Sequence, residues 1–416
     1  MGPFETHLAW IGEQRSAMEA RIERWCAINS GSHHRAGIER VATDVAEAFA
    51  GLSAETRRVA LPTFASIDDC GEETRFETAD AVVLRKRPDA ARQVLLAIHL
   101  DTVFPESSPF QSARQVDAET LVGPGAADAK GGIALLCTAL EAFERSEEAE
   151  RLGWTVILNP DEEVGSPCSR GLLAEAAASA DFGLVFEPCL PDGSMISRRK
   201  GSGNFTVVVR GRAAHVGRAF AEGRSAIHAL ASFVDAVAGW NESVPGMIAN
   251  TGVIRGGDAP NVVPDLAVAR LNLRVEDAAQ QREATQRLEA LAARIRRSHD
   301  VAVDVSGEFY SPPKPLDAGL EALMREVDRT AEGLGDTIRW QASGGVCDGN
   351  KLAAAGLPNV DTMGPRGGEI HSEREFLCLD SLVPRTRLCA ALLHRYASGA
   401  FGIHGAGSRS SEGRRK

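Results

Sequence analysis

The chain has 416 residues, of which 44% are hydrophobic and 25% charged, and its formal net charge is −11. A chain this long exceeds one compact core, so two domains are expected, and the acidic balance argues against nucleic acid or an anionic membrane as a partner. No stretch has the apolar length of a membrane span, Met1 to Gln14 lacks a secretory apolar segment, and eight cysteines without zinc-ribbon spacing read as reduced thiols of a cytoplasmic protein.

From the N-terminus, Leu8, Ile11, Met18, Ile22 and Trp25 recur at helical spacing, which predicts a helix over 8–29. A helix near 37–50 and short strands near 56–60 and 80–86 follow. Val94 to Ile98 is then an apolar run leading into His99, with Asp101 two residues beyond. Such a run reads as a buried parallel strand. Thr102-Val103-Phe104-Pro105 breaks it, so His99 and Asp101 fall at the carboxyl end of the strand, where open α/β sheets place their crevices. A carboxylate behind a histidine is the usual support of a metal ligand; a buried histidine satisfied by a neighbouring acid is the plainer alternative.

Residues 105–122 read as a polar loop with one weak strand. Gly123 to Gly132 is glycine-rich and precedes a helix that runs to about Phe143. It lacks the spacing of a dinucleotide loop, and Lys130 is not followed by Ser or Thr as a phosphate loop requires. The segment can instead aim Asp128 at the crevice of His99, or use it as a helix cap. Trp154 to Asn159 is the next apolar strand, ending in Asp161-Glu162-Glu163, and Phe182 to Phe186 ends in Glu187-Pro188. An acidic run by itself reads as a solvated loop. Three apolar strands that each deliver a metal-binding side chain at the same end are harder to reconcile with that reading.

After Gly201 the texture changes to strand (204–209), helix (225–240), strands (248–254, 266–275), helix (278–298) and strand (301–305). This β-α-β-β-α-β order is the split βαβ unit, inserted between halves of a larger sheet. Pro312-Pro313-Lys314-Pro315 marks the return, followed by a helix at 317–333, a glycine-rich turn at 343–349, the segment that carries His371, and a last helix near 380–397. The expected architecture is α/β: a mixed, mainly parallel sheet with helices on both faces (1–200 and 308–400), a ferredoxin-like insert (201–307), and a disordered tail (401–416).

His99, Asp128, Glu163, Glu187 and His371 together make two imidazoles and three carboxylates, a donor set suited to two Zn²⁺, with Co²⁺ or Mn²⁺ as substitutes. Paired cations activate water and polarise a carbonyl, and Glu162 is left over beside Glu163 as a general base. The ordered motifs His99-Leu-Asp101, Asp128-Ala-Lys-Gly-Gly, Asp161-Glu-Glu163, Phe186-Glu-Pro188, Ala214-His215 and His371-Ser372 resemble those of the M20 metallopeptidases, in the branch of glutamate carboxypeptidase, acetylornithine deacetylase and succinyl-diaminopimelate desuccinylase. The resemblance implies hydrolysis of a dipeptide or N-acyl amino acid. It puts His99 and Glu187 on one zinc, Glu163 and His371 on the other, Asp128 between them, and Asp101 behind His99. It further implies a homodimer formed by the insert, with His215 and Asn261 reaching the partner's site to stabilise the oxyanion, Arg274 gripping the substrate carboxylate and Gly345 bordering it. Where glutamate carboxypeptidase carries basic residues this chain has Met195 and Glu308, so glutamate is expected to be a poor leaving group unless Lys314 or Arg366 supplies the charge. Ala129 replaces a methionine that is common in the family. Hydrolysis of another C–N bond, or a non-catalytic binding role on this scaffold, are the alternatives; Glu162 beside a full ligand set argues against the latter.

Overall fold

In the first sheet, strands Glu55–Val59 (β1), Ala81–Lys86 (β2), Arg92–His99 (β3), Leu152–Asn159 (β4) and Phe182–Val185 (β5) are joined by the short Asn359–Val360 strand, in the order β1-β2-β4-β3-β5 and then 359–360. A computed structural model describes residues 3–403. The β4, β3, β5 and 359–360 strands are mutually parallel, and β1 and β2 add an antiparallel edge. Helix Gly132–Phe143 (α1) links β3 to β4, and helix Arg170–Ala177 (α2) links β4 to β5.

Along β3, Leu96 and Ile98 pack into the large core with Leu135 and Leu136 of α1, while Leu95 and Ala97 pack into a second core with Leu173 and Ala177 of α2. Both faces of the strand are therefore dry. This explains why its sequence is a continuous apolar run instead of an alternation. Burial of Leu95, Leu96 and Ile98 stabilises by about 1.5–3 kcal/mol each, and the crossovers on opposite faces open a crevice at the carboxyl ends of the strands.

The insert follows the expected order: Gly201–Arg210 (β6), Ala226–Ala238 (α3), Ile248–Gly256 (β7), Leu266–Val275 (β8), Ala278–His299 (α4) and Ala302–Ser311 (β9). Its sheet is antiparallel in the order β7-β8-β6-β9, and α3 and α4 cover one face through Leu230, Phe233, Leu288 and Ile295. This core is separate from that of the first sheet. Ser225 and Asp277 cap the two helices by accepting from the amides of His228 and Gln280.

Several local expectations need correction. The first helix is two, Pro3–Glu13 and Arg15–Cys26, with a turn at Gln14 between them. The polar stretch 105–122 holds two strands, Arg114–Asp117 and Thr120–Val122, which join Phe376–Cys378 and Gly367–Gly368 in a small sheet. A hairpin of Phe64–Ile67 and Glu73–Phe76 was not expected; none of its strand residues is buried, so no burial pattern announces it. β9 runs on to Ser311. In the expected disordered tail, Phe401 and Ile403 are buried against the main core, and 404–416 lie outside the described residues. All eight cysteines are free, with only Cys70 fully exposed. Among the described residues no helix is long and apolar enough to cross a membrane.

Candidate metal centre

His99 closes β3 and pairs in register with Asn159 at the end of β4, so the turn that carries Glu162 and Glu163 begins beside it. Phe186 donates its amide to Ala97 O, which holds Glu187 on the other side. Two glycines bring in Asp128. Gly125 has a left-handed φ of 73°. Gly132, at the start of α1, lies so close to the end of β5 that a Cβ there would stand 2.1 Å from Phe186 O. His371 arrives on the loop between Gly367–Gly368 and Phe376–Cys378, with a φ of 64° that side chains adopt only at some cost.

These elements bring all five expected ligands together. His99 Nε2 lies 3.1 Å from Asp128 Oδ1 and 3.6 Å from Glu187 Oε2. His371 Nε2 lies 3.4 Å from Asp128 Oδ2 and 3.0 Å from Glu163 Oε2. Asp128 thus turns one oxygen to each half of the site. One donor atom each from His99, Asp128 and Glu163 falls within 4.8 Å of the others. Asp101 supports His99 mainly through its main chain: Nδ1 of His99 is 2.9 Å from Asp101 O and 3.5 Å from Asp101 Oδ1. The Asp101 carboxylate instead accepts from the amides of Glu162 and Glu163 and from Ser32 Oγ, fixing the acidic turn against the strand.

The donor set fits divalent cations. Burial pushes the carboxyls up against the attraction of the histidines, Glu187 to about 8 and Glu163 to about 7, with Asp128 adding repulsion to both. Hydrogen bonds to Asp128 and Glu163 raise His371 to about 11. Burial opposes a charge on His99, yet Glu187, Asp101 and Asp128 raise it well above its ordinary value. Carboxylates crowded out of water in this way hold protons unless a cation takes their place. Glu187 Oε1, moreover, is buried with no hydrogen-bond partner among the described residues. Glu162 has no side-chain hydrogen bond there either. Burial first, and Asp348 second, push its carboxyl up to about 8.

Four contributors carried no sequence signal strong enough to single out their roles. Glu375 is buried and accepts from the amides of Gly125, Ala127 and Asp128 at 3.0–3.2 Å, holding the Asp128 loop from behind. It lies four residues past His371, and that proximity is the one available hint. Asp348 and Lys351 form a buried pair at 3.0 Å behind Glu162, and Asp348 also accepts from Asn159 and Ser166. Asp161, the first acid of the run, is fully buried and accepts from the amides of Cys168 and Ser169, so it supports the loop and does not face the site.

The expected substrate residues fall into two groups. Arg274 donates to Gly344 O at 3.3 Å, and Gly345 O accepts from Arg199, so Arg274 and the glycine-rich turn meet. His215 and Asn261 lie together on the insert, where Val216 N donates to Asn261 O; the His215 ring accepts from Gly217 N, and neither side chain bonds to the ligand cluster of its own chain. Met195 does not reach the surface. It is fully buried, with its sulfur accepting from Arg385. Glu308 is exposed on the insert and paired with Arg170. Lys314 is bound to Asp361 and Arg366 to Asp380, so neither is free to supply a charge.

The model of the peptidase family M20/M25/M40 matches residues 95–395. The chain is 26% identical over 319 residues to carboxypeptidase G2 of Pseudomonas sp. (strain RS-16), covering 76% of each. It is 30% identical over 319 residues to succinyl-diaminopimelate desuccinylase of Gluconobacter oxydans (strain 621H), covering 72% of this chain and 80% of that one. Its fold is similar to that of a dinuclear metal-binding peptidase of the M20 family from Bacillus subtilis, with a TM-score of 0.65 and 15% identity over 93% of this chain and 99% of the other.

Proposed function

Because the chain belongs to the M20/M25/M40 peptidase family and is a hydrolase, we propose that it cleaves the amide bond of a dipeptide or N-acyl amino acid, using two divalent cations. The observation that carries this reading is Asp128, with one carboxylate oxygen toward His99 and the other toward His371. One cation would be held by His99, Glu187 and Asp128, the other by Glu163, His371 and Asp128, and the mixed imidazole and carboxylate donors suit Zn²⁺, with Co²⁺ or Mn²⁺ as substitutes. Bound there, the pair would supply positive charge that polarises the scissile carbonyl and acidifies water.

Glu162 takes the proton from the attacking water as the new C–O bond forms, then delivers it to the amine nitrogen as the C–N bond breaks. Water is consumed, and a carboxylic acid and an amine leave. Asp101 keeps Glu162 in place through its amide. Arg274, at the glycine-rich turn with Gly345, holds the carboxylate of the leaving amino acid by a paired hydrogen bond.

The protein works as a homodimer in which His215 and Asn261 of the insert complete the oxyanion site of the partner subunit. Next to them, an apolar patch that includes Ile227, Val262 and Phe220, the last 62% exposed, supports this arrangement. Eight unpaired cysteines support a reducing compartment such as the cytoplasm. To test the reading, chelated protein is assayed on a panel of dipeptides and N-acyl amino acids before and after Zn²⁺, Co²⁺ or Mn²⁺ is restored. Loss and recovery of hydrolysis is expected; full activity in protein that metal analysis finds empty would sink it. Sedimentation reads the dimer, which Phe220→Arg should dissociate.

A further inference from the structure

The face of the insert's sheet not covered by helices forms one wall of a groove of about 610 Å³. Three asparagines stand in one cross-strand row on it: Asn250 pairs with Asn272, and Asn272 with Asn204. The opposite wall is the unexpected hairpin, with Phe64 and Phe76 lining the groove. The hairpin is fastened to the insert by Asp69, which pairs with Arg270 and Arg255, and by Arg210, which donates to Gly71 O. Phe76 is further braced edge-to-face by His33, with ring centroids 5.2 Å apart.

The groove adjoins the candidate active site in two places. Val164, next to Glu163, lines it. Tyr310, also in its lining, bonds to Ser202 Oγ at 3.1 Å; Ser202 accepts from Asn272, and Asn272 accepts from Arg274 Nε at 2.9 Å. Val164 and Tyr310 thus set the groove beside both the acidic turn and Arg274.

Its charge balance decides what it accepts. Arg270, the one Lys or Arg among its lining residues, is engaged by Asp69, and Glu308 is engaged by Arg170. Glu73 adds a further acid. An anionic group entering here would lose water and find no unpaired Lys or Arg among the described lining residues, at a cost that an uncharged group escapes. Aromatic rings can stack on Phe64, Phe76 and Tyr310, while the asparagine row donates to and accepts from carbonyl and amide groups.

We propose that this groove is the subsite for the acyl half of the substrate and that it selects uncharged, aromatic acyl groups over dicarboxylic ones such as succinyl. The assignment rests on the amidohydrolase reading above.

The test holds the leaving amino acid constant and compares N-benzoyl, N-acetyl and N-succinyl members on the metal-loaded enzyme. N-benzoyl should exceed N-succinyl in kcat/KM by about tenfold or more. Phe64→Ala should lower the benzoyl-to-acetyl ratio about tenfold, the scale on which an apolar pocket discriminates. Asn250→Lys, a change at an exposed edge-strand position, should raise the succinyl-to-benzoyl ratio by a similar factor of about ten. In parallel, calorimetry on metal-loaded Glu162→Gln protein measures binding of the N-benzoyl compound with and without Phe64→Ala. Preference for succinyl in the unmodified enzyme, or ratios and binding that neither substitution moves, would overturn the groove assignment. Binding that Phe64→Ala weakens, in an enzyme that hydrolyses no member of the series, would overturn the catalytic reading and leave the groove standing.

Discussion

Two buried clusters of charge lie in the same half of this molecule and solve opposite problems. Around Asp128 and Glu163, carboxylates outnumber imidazoles, and burial drives Glu162 and Glu187 up to about 8. Around Asp361, bases outnumber acids: Arg199 binds both carboxylate oxygens at 2.9–3.0 Å and Lys314 adds a contact at 2.6 Å. Burial opposes ionisation there too, yet Arg199 and Lys314 pull Asp361 down to about 2. Asp361 is fully buried and Glu187 nearly so, so burial alone does not separate these two carboxylates. What separates them is whether the chain supplies the counter-charge itself. The Asp361 cluster is complete and holds the return from the insert to the first sheet. The Asp128 cluster is short of positive charge, the condition that a cation relieves.

Substitutions can break this contrast. The largest expected effect is Glu162→Gln, which should keep bound metal while kcat falls by about 10²–10⁴. Metal analysis beside steady-state kinetics checks it, and loss of metal would move Glu162 into the ligand set. Asp361→Asn should destabilise the fold by about 3–5 kcal/mol, because Arg199 and Lys314 are left buried without their partner. Denaturant unfolding measures this. The pH dependence has a definite sign: a carboxyl depressed in the folded state contributes its full stability above its unfolded pKa of about 4 and loses it as pH falls toward about 2. The acid limb of the unfolding curve should therefore flatten in Asp361→Asn.

Glu375→Ala should weaken metal binding by about 10–100-fold, the usual worth of a group that orients a ligand. Glu375→Gln, which retains one acceptor, should lose less. Calorimetric titration separates this from a general loss of fold, provided metal-free unfolding is measured alongside; equal metal affinity in all three proteins would make Glu375 purely structural. The smallest effect is the most diagnostic. Glu187→Gln in metal-free protein should raise stability by roughly 1 kcal/mol, since a strained acid is removed from a functional site. If it destabilised the protein as Asp361→Asn does, the two clusters would not differ in kind.

Part of the candidate centre was legible because two of its residues are announced locally. An apolar run that ends in His99, and another followed by Glu187, report strand and side chain within a few residues. The split βαβ insert was legible for the same reason, since its periods of two and 3.6 alternate over long segments. Sequence by itself therefore determined the α/β class and the insert, and it nominated the five candidate ligands that the fold brings together. Tertiary structure decided what depends on residues far apart in the chain. Glu375 reaches amides about 250 positions away, Asp348 reaches Ser166 across 182, and Asp69 reaches Arg270 across 201. It also removed Met195 from the substrate side by burying it in the core, and committed Lys314 to Asp361. A side chain's own neighbours set its strand and its chemistry, but its counter-charge is set by whatever the fold packs against it, and no local pattern encodes that.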